Sequence, residues 1–292
     1  MLYTIENKKL SVTVSDVGAE LMSIKTRADG CEYLWQGSDK YWEDRAPLLF
    51  PICGRLVDGY YTYGGAEYKM GIHGFVRTGT FSVAEKTDDS ITLVYKSNEE
   101  TKKIYPFDFV FKATYRLDGD RLVNSFEIEN AGSDVMPYSF GGHPGFNVPM
   151  GGEGAFEDCY LAFGEKCAPE LFLLSPACFL SGETEPYKLT CGKRLDLKHE
   201  LFDNDAIFLK NAAKSVSIKS RASKKSVTVE YADFDYIGFW QDDHTDAPFL
   251  CVEPWNGLPG FDGKIDDFST KVAMRQLPAG ESEKMEFTIV IK

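Results

Sequence analysis

Short runs of alternating apolar and polar residues, separated by turn-forming residues, constrain the fold of this chain more than any other feature. Four of them follow one another at Thr80–Thr87, Ser90–Ser97, Phe107–Leu117 and Arg121–Asn130. Alternation with a period of two is typical of half-buried strands, and turn signals roughly every ten to fifteen residues are typical of a β-sandwich. The sequence therefore predicts an all-β fold, a large antiparallel β-sandwich with few short helices.

The same pattern extends to both ends of the chain, as at Leu2–Ile5, Leu10–Val14 and Lys284–Ile291. No linker interrupts it, so we predict a single domain over residues 1–292. Between the strands, Lys40–Arg45 is polar and aromatic and is predicted to form at most one helical turn. Asn98-Glu99-Glu100 is predicted to be a turn between two strands.

Charge and cysteine content narrow the class of function. The net charge is −13, from 32 basic and 45 acidic residues. This balance argues against nucleic acid and anionic membranes as partners, because both reward clustered Lys and Arg. A small anionic ligand held by one or two arginines still fits.

The seven cysteines are odd in number and scattered, without a CxxC pair. They predict neither a disulfide framework nor a structural zinc site, and reduced thiols fit a cytoplasmic protein. The first residues lack a signal-peptide pattern, and no apolar run approaches the roughly 20 residues that span a bilayer.

A rigid turn presents one histidine near the middle of the chain. In Gly141-Gly142-His143-Pro144-Gly145-Phe146, three glycines and a proline surround His143. Glycine freedom and the missing proline amide exclude a helix or a regular strand, and a residue before proline is driven to extended geometry. We predict that His143 lies on a scaffolded loop at the mouth of a sheet, where catalytic groups are common. A core-facing histidine in a structural turn is the alternative.

A second histidine, His73, has a similar setting, because it lies between Gly71 and Gly74 and just before Phe75. Small neighbours let a ligand or another backbone approach the imidazole closely. Two of only four histidines share these flanking residues, which packing alone explains poorly. The pair is therefore a candidate functional site.

A carboxylate stands at the end of an apolar strand in the last fifth of the chain. The run from Phe249 to Val252 leads directly into Glu253, which Pro254 and Trp255 follow. A carboxylate there is costly unless it is paired or solvated, and partial burial raises its pKa toward that of a base useful near neutral pH. A strand-terminal glutamate that faces water is the alternative. The Pro-Trp pair favours a walled pocket.

Three further charged residues are candidates for the same site. Arg55 follows a tight apolar loop, where an arginine either reaches solvent or is paired. Asp203 and Asp205 precede a short apolar strand, where acids are usually turn formers. Aromatic faces suit the apolar faces of sugar rings, while Arg and Asp suit their hydroxyls.

Cofactor motifs do not appear in this sequence. It contains neither a phosphate-cradling glycine motif nor a HExxH pair. His73, His143 and Glu253 would form a His₂Glu set of the kind that zinc uses. We nevertheless predict no metal and no cofactor.

Three motifs occur in a fixed order: Gly71-Ile-His-Gly-Phe-Val-Arg77, Gly142-His-Pro-Gly-Phe146 and Val252-Glu-Pro-Trp-Asn256. Together they resemble the signatures of the aldose 1-epimerases (galactose mutarotase-like proteins), and are most similar to the bacterial LacX-like branch. The resemblance covers essentially the whole chain. It implies a galactose mutarotase-like supersandwich with its site in a cleft on one face. It also implies cofactor-free interconversion of the α and β anomers of a hexose, an isomerase activity.

The resemblance also implies roles for single residues. Glu253 takes the proton of the anomeric hydroxyl and His143 protonates the ring oxygen, from opposite sides of the acetal. The ring opens, the first carbon–carbon bond rotates, and closure on the other face reverses both transfers. His73 donates to a sugar oxygen. The implied substrate-binding residues are Arg55, Asp205, Trp255 and Phe146, with Asp203 as the competitor of Asp205. Typical galactose mutarotases carry an asparagine-arginine pair where Arg55 here follows Gly54, which leaves the preferred sugar open.

Other functions remain open at this point. The expected partner is a small sugar, bound by a monomer or a homodimer. A hexose-6-phosphate epimerase would use Arg55, Arg77 and Lys69 as a phosphate clamp. A sugar-binding or sensing protein without turnover is a further alternative. A glycoside hydrolase is more remote, because it needs two carboxylates that flank the bond.

Overall fold

Most elements of the computed structural model, which describes residues 1–292, are β-strands. Strands hold 47% of the residues and helices 8%, which confirms the all-β prediction. The first thirteen strands are β1 (Leu2–Glu6), β2 (Leu10–Ser15), β3 (Leu21–Thr26), β4 (Leu48–Leu49), β5 (Tyr60–Tyr63), β6 (Ala66–Lys69), β7 (Ser82–Lys86), β8 (Ser90–Lys96), β9 (Phe109–Asp118), β10 (Arg121–Asn130), β11 (Met136–Tyr138), β12 (Gly141–Gly142) and β13 (Gly145–Asn147). The others are β14 (Cys159–Phe163), β15 (Glu170–Leu174), β16 (Leu180–Pro186), β17 (Arg194–Asp196), β18 (Ile207–Lys210), β19 (Ser215–Ser220), β20 (Val227–Glu230), β21 (Tyr236–Trp240), β22 (Phe249–Trp255), β23 (Asp266–Asp267), β24 (Arg275–Leu277) and β25 (Ser282–Ile291).

Two large antiparallel sheets carry the fold. The nine-stranded sheet has the order β17-β14-β19-β20-β25-β10-β9-β8-β7. The eight-stranded sheet has the order β16-β15-β18-β21-β22-β12-β4, and β13 also pairs with β22. The small sheets are β1-β2-β3, β11-β24 and β23-β5-β6, and only the pairing of β23 with β5 is parallel. The meander predicted from residue 80 to residue 130 is found as β7 to β10.

The core lies between the two large sheets. One cluster of 61 buried apolar residues runs from Ile5 to Ile291 and takes side chains from both sheets. Phe163 of the nine-stranded sheet and Phe239 of the eight-stranded sheet bring their ring centroids to 6.0 Å. Because strands bury alternate side chains, each sheet presents one apolar face to the other, as in a sandwich.

Helices are few, and one of them was not predicted. Helix α1 spans Glu99–Ile104, where the sequence indicated a turn. The side chain of Asn98 accepts hydrogen bonds from the backbone N–H groups of Glu100 and Thr101, and the Thr101 hydroxyl accepts one from the Asn98 N–H. This is a capping box with threonine in place of the usual glutamate or glutamine. Five single 3₁₀ turns complete the helical content: Val57–Gly59, Val76–Thr78, Met150–Gly152, Phe156–Asp158 and His199–Phe202.

The segment Lys40–Arg45, predicted to form at most one helical turn, contains no helix. Every helix in the structure is too short or too polar to cross a membrane.

Strand β22 positions the site because its alternate side chains face two different environments. Leu250 and Val252 join the main core. The alternate positions point to the other side of the sheet, which we call the outer face of β22: Phe249, Cys251, Glu253 and Trp255. All seven residues of the strand are nevertheless buried, since other side chains cover the outer face.

Candidate active site

Two small aromatic clusters cover the outer face of β22 on either side of Glu253. The first contains Trp35, Ala247, Phe249 and Cys251, with Tyr41, Trp42 and Trp240 packed against it. The second contains Leu49, Cys53, Phe208 and Trp255. Glu253 thus projects between two apolar walls, as the Pro-Trp sequence suggested.

Glu253 and His143 are in direct contact. The Nε2 atom of His143 lies 3.3 Å from Oε2 of Glu253, and the two side chains are 9% and 1% exposed. Both carboxylate oxygens and Nδ1 of His143 are buried without a hydrogen-bond partner in the protein. The expectation that the two groups stand on opposite sides of an acetal is therefore corrected. They lie side by side and present one acid and one base to the same small volume.

Burial shifts the pKa values of this pair in opposite directions. It raises the pKa of Glu253 well above its ordinary value of 4.5, and the charge of Asp205 raises it further. Burial lowers the pKa of His143 well below 6.5, and the charge of Arg77 acts in the same direction. If both groups were protonated, the pair would be a buried cation. If neither were protonated, it would be a buried anion. Both states are costly. The two shifts favour the same arrangement in the free protein, in which the imidazole is neutral and the proton of the pair lies on Glu253.

The glycines around His143 allow other side chains to approach the site. Gly141 pairs with Trp255, and a Cβ atom at Gly141 would lie 2.5 Å from Cδ1 of the indole. The ring centroid of Trp42 lies 5.0 Å from that of His143, and that of Trp240 lies 5.7 Å away. The imidazole is thus enclosed by indoles, which explains its burial.

His73 is oriented as a hydrogen-bond donor. Its φ of 64° lies in the left-handed region, and the Gly74 that follows has a φ of 73°. The backbone N–H of Gly54 donates to Nδ1 of His73 over 3.1 Å, so the proton of the neutral ring is on Nε2. Burial lowers the pKa of His73 well below 6.5, which keeps the ring neutral. Its ring centroid lies 5.5 Å from that of His143 and 5.6 Å from that of Trp255.

Arg55 and Asp205 lie together on the more accessible side of the site. An Nη2 atom of Arg55 is 3.9 Å from Oδ2 of Asp205, and the side chains are 39% and 22% exposed. Asp203, the competing candidate, faces His244 instead, at 3.2 Å. The structure therefore places Asp205, rather than Asp203, beside Arg55.

A buried lysine that sequence reasoning missed supports the loop that contacts the backbone of Arg55. Nζ of Lys271 donates to the carbonyl groups of Leu258 and Pro259 over 2.8 and 3.2 Å. The next residue, Gly260, donates its N–H to the carbonyl oxygen of Arg55 over 3.0 Å. Lys271 and Asp266, 3.9 Å apart, are each 1% exposed. No motif distinguishes this lysine in the sequence.

The assignment of Phe146 to the substrate is corrected by the structure. Phe146 pairs with Leu250, so its ring lies on the core side of the sheet, where it is 0% exposed. Neighbouring strands place directly paired side chains on the same face, which puts Phe146 on the side opposite to Glu253. Three aromatic residues that sequence reasoning did not select contact the site residues instead: Trp42, Trp240 and Phe208.

Of the three charges proposed for a phosphate clamp, the two arginines face carboxylates and the lysine is exposed to solvent. Arg77 binds the carboxylate of Asp44, as Arg55 faces Asp205. Lys69 is exposed on β6. Each arginine of the predicted clamp thus has an acidic partner, which lowers the positive potential available to a phosphate.

Comparisons with known proteins agree with this architecture. The sequence profile of the family described as Aldose 1-epimerase matches residues 1–266. Protein LacX from Lactococcus lactis subsp. lactis is 36% identical over 272 residues, which cover 88% of each chain. A galactose mutarotase related enzyme from Lactobacillus acidophilus superimposes with a TM-score of 0.95 at 33% identity, over 100% of this chain and 97% of that one. A galactose mutarotase-like protein from Lactobacillus casei gives a TM-score of 0.94 at 33% identity, over 100% of both chains.

Proposed function

The chain belongs to the aldose 1-epimerase family, and from this premise we propose that it interconverts the α and β anomers of a free hexose. The observation that carries the proposal is the 3.3 Å contact between His143 and Glu253, two groups with opposite pKa shifts. Ring opening needs a base for the anomeric hydroxyl and an acid for the ring oxygen, and both oxygens are bonded to one carbon. Two groups side by side suit two such neighbouring oxygens.

The reaction conserves the one proton of the pair. The anomeric hydroxyl gives its proton to the base, the acid gives a proton to the ring oxygen, and the bond between the first carbon and the ring oxygen breaks. The aldehyde then rotates about its first carbon–carbon bond, and both transfers reverse on closure. We assign Glu253 as the base and His143 as the acid, which requires the pair's proton to shift to the imidazole when the sugar binds. The neutral Nε2–H of His73 supports this step as a fixed donor to a sugar oxygen.

The surrounding residues favour a neutral sugar. Indoles flank the imidazole, and aromatic faces suit the apolar face of a pyranose. Arg55 and Asp205 together offer a donor and an acceptor to sugar hydroxyls. Because Arg77 is occupied by Asp44, a phosphate would compete with a carboxylate already in place.

Polarimetry on freshly dissolved sugars tests the proposal. We expect acceleration of the anomerisation of free hexoses above the spontaneous rate, and at most about one tenth of that effect on the corresponding hexose 6-phosphates. The panel should include galactose and glucose with their 6-phosphates, followed by anomer-resolved NMR for the phosphates. Preference for the phosphorylated sugars would contradict the substrate assignment. Binding without acceleration of any sugar would contradict the catalytic one.

The pH dependence of the catalysed rate follows from the two pKa shifts. The lowered pKa of His143 moves the acidic limb, where the pair gains a second proton, well below pH 6.5. The raised pKa of Glu253 moves the alkaline limb, where the pair loses its last proton, well above pH 4.5. We therefore expect that kcat/KM does not fall when the pH is lowered from 7.5 to 5.5. The spontaneous rate is subtracted at each pH. A ten-fold decline centred near 6.5, the ordinary value of histidine, would contradict this assignment.

A further inference from the structure

We propose that Cys251 and the pair His143 and Glu253 form an inhibitory binding site for a thiophilic divalent cation such as Zn²⁺. The inhibition rests on the proposed epimerase activity, whereas the binding does not. One ligand atom from each of the three residues lies within 4.8 Å of the other two. This group differs from the His₂Glu set considered from the sequence, because a thiol takes the place of His73.

The geometry is close to what a tetrahedral ion requires. Bonds of about 2.0–2.3 Å to nitrogen, oxygen and sulfur separate neighbouring ligands by roughly 3.4–3.8 Å. The His143–Glu253 contact of 3.3 Å already has this spacing. The distances to the Cys251 sulfur are at most 4.8 Å, so a closure of about 1 Å, shared among the three side chains, completes the spacing. Three protein ligands leave the fourth position to water or to a hydroxyl.

The environment of these ligands favours a cation. Both oxygens of Glu253 are buried and accept no hydrogen bond from the protein. A carboxylate in such surroundings is stabilised by a metal ion more than by a distant charge. Cys251 and Glu253 are two positions apart on one strand, so both side chains lie on the outer face of β22. His143 completes the set from the turn after β12.

The consequence for catalysis is competition. On binding, the cation displaces the thiol proton and the one proton of the pair to solvent, with no change of oxidation state. Its ligands then include both the acid and the base, so neither can exchange protons with a sugar. The ion and the anomeric centre of the sugar would occupy the same small volume beside His143 and Glu253. Inhibition is therefore expected to be competitive with the sugar.

Cobalt and zinc titrations of the reduced protein test the proposal. We expect Co²⁺ to give a thiolate-to-cobalt absorption band in the wild type and not in Cys251→Ala. We expect Zn²⁺ to inhibit the wild type competitively, and the zinc concentration for half-inhibition to rise at least ten-fold in Cys251→Ala. Cys159→Ala is the matched control, since Cys159 is equally buried but lies in the main core, outside the ligand set. It should behave as the wild type does.

The outcomes separate this inference from the proposed function. Cys251→Ser keeps the side-chain size and serves if the alanine variant folds poorly. A thiolate band without any catalysed mutarotation would support the metal site and contradict the epimerase. Catalysis with equal zinc sensitivity in the wild type and Cys251→Ala, or a cobalt spectrum without the thiolate band, would overturn the metal site and leave the epimerase standing.

Discussion

Glu253→Gln is expected to lower the catalysed rate of mutarotation by about 10³-fold while sugar affinity changes by no more than a few-fold. The amide keeps the shape of the side chain and cannot exchange a proton, and general acid–base groups typically contribute about 10²–10⁴-fold. Glu253 is 1% exposed and lies against His143, so bulk solvent has little access to take over its role. Polarimetry gives the rate, and isothermal calorimetry gives the affinity.

The control for this variant is a glutamate away from the site. Glu230 of β20 pairs with Arg121, and Glu230→Gln should retain the wild-type rate. His143→Asn removes the other half of the pair and should cause a loss of similar size, about 10²-fold or more. Wild-type rates in both Glu253→Gln and His143→Asn would show that the acid and the base are assigned to the wrong residues.

The same variant should be more stable than the wild type, which separates loss of chemistry from loss of fold. The pKa of Glu253 is raised by burial, so the cost of burying its charge is absent at low pH, where the carboxyl is protonated in both states. As the pH rises above 4.5, the unfolded chain ionises first and the wild type loses stability relative to Gln. We expect a difference of about 1–3 kcal/mol near neutral pH, visible as a melting-temperature gap that widens with pH. A gap of the opposite sign would mean that the buried carboxylate is stabilised by partners.

The sequence was informative wherever local chemistry is written in consecutive residues. His73 and His143 are marked by flanking glycines and proline, and Glu253 by the apolar run before it. All three meet around Trp255. The alternation of apolar and polar residues in β7 to β10 predicted the sandwich, because a half-buried strand requires that alternation.

The missed features depend on pairing between distant segments. Trp42, Trp240 and Phe208 reach the site from three regions that are far apart in the sequence, and only the tertiary fold brings them together. Phe146 was misassigned because strand parity decides which face a side chain takes, and the turn at Pro144 hides that parity in the sequence. Helix α1 was missed because Thr101 stands where a capping box usually has an acid or amide. Lys271 lies between β23 and β24 and affects Arg55 only indirectly, through the loop after β22 that contains Leu258 and Gly260.

Lys271→Met is expected to destabilise the protein by about 3–5 kcal/mol, because it removes one partner of a buried ion pair and leaves the other. Asp266 would lose its cation, and the Leu258 and Pro259 carbonyl groups would lose their donor. The loop that these carbonyls belong to holds Arg55 through Gly260. Urea unfolding measures the stability, and Lys264→Met is the matched control, since Lys264 is exposed on the same loop.

The kinetic effect of Lys271→Met should fall on binding rather than on chemistry. Arg55 is displaced with its loop, so we expect KM for the sugar to rise about ten-fold. Glu253 is held by β22 and His143 by the turn after β12, so kcat should change by less than about three-fold. Replacing Asp266 by Leu in the same chain should recover part of the lost stability, because the unpaired carboxylate is then gone. It should not recover KM, since the lysine that orders the loop is still missing. If KM stays at the wild-type value while stability falls, Lys271 supports the fold alone and the loop positions Arg55 without it.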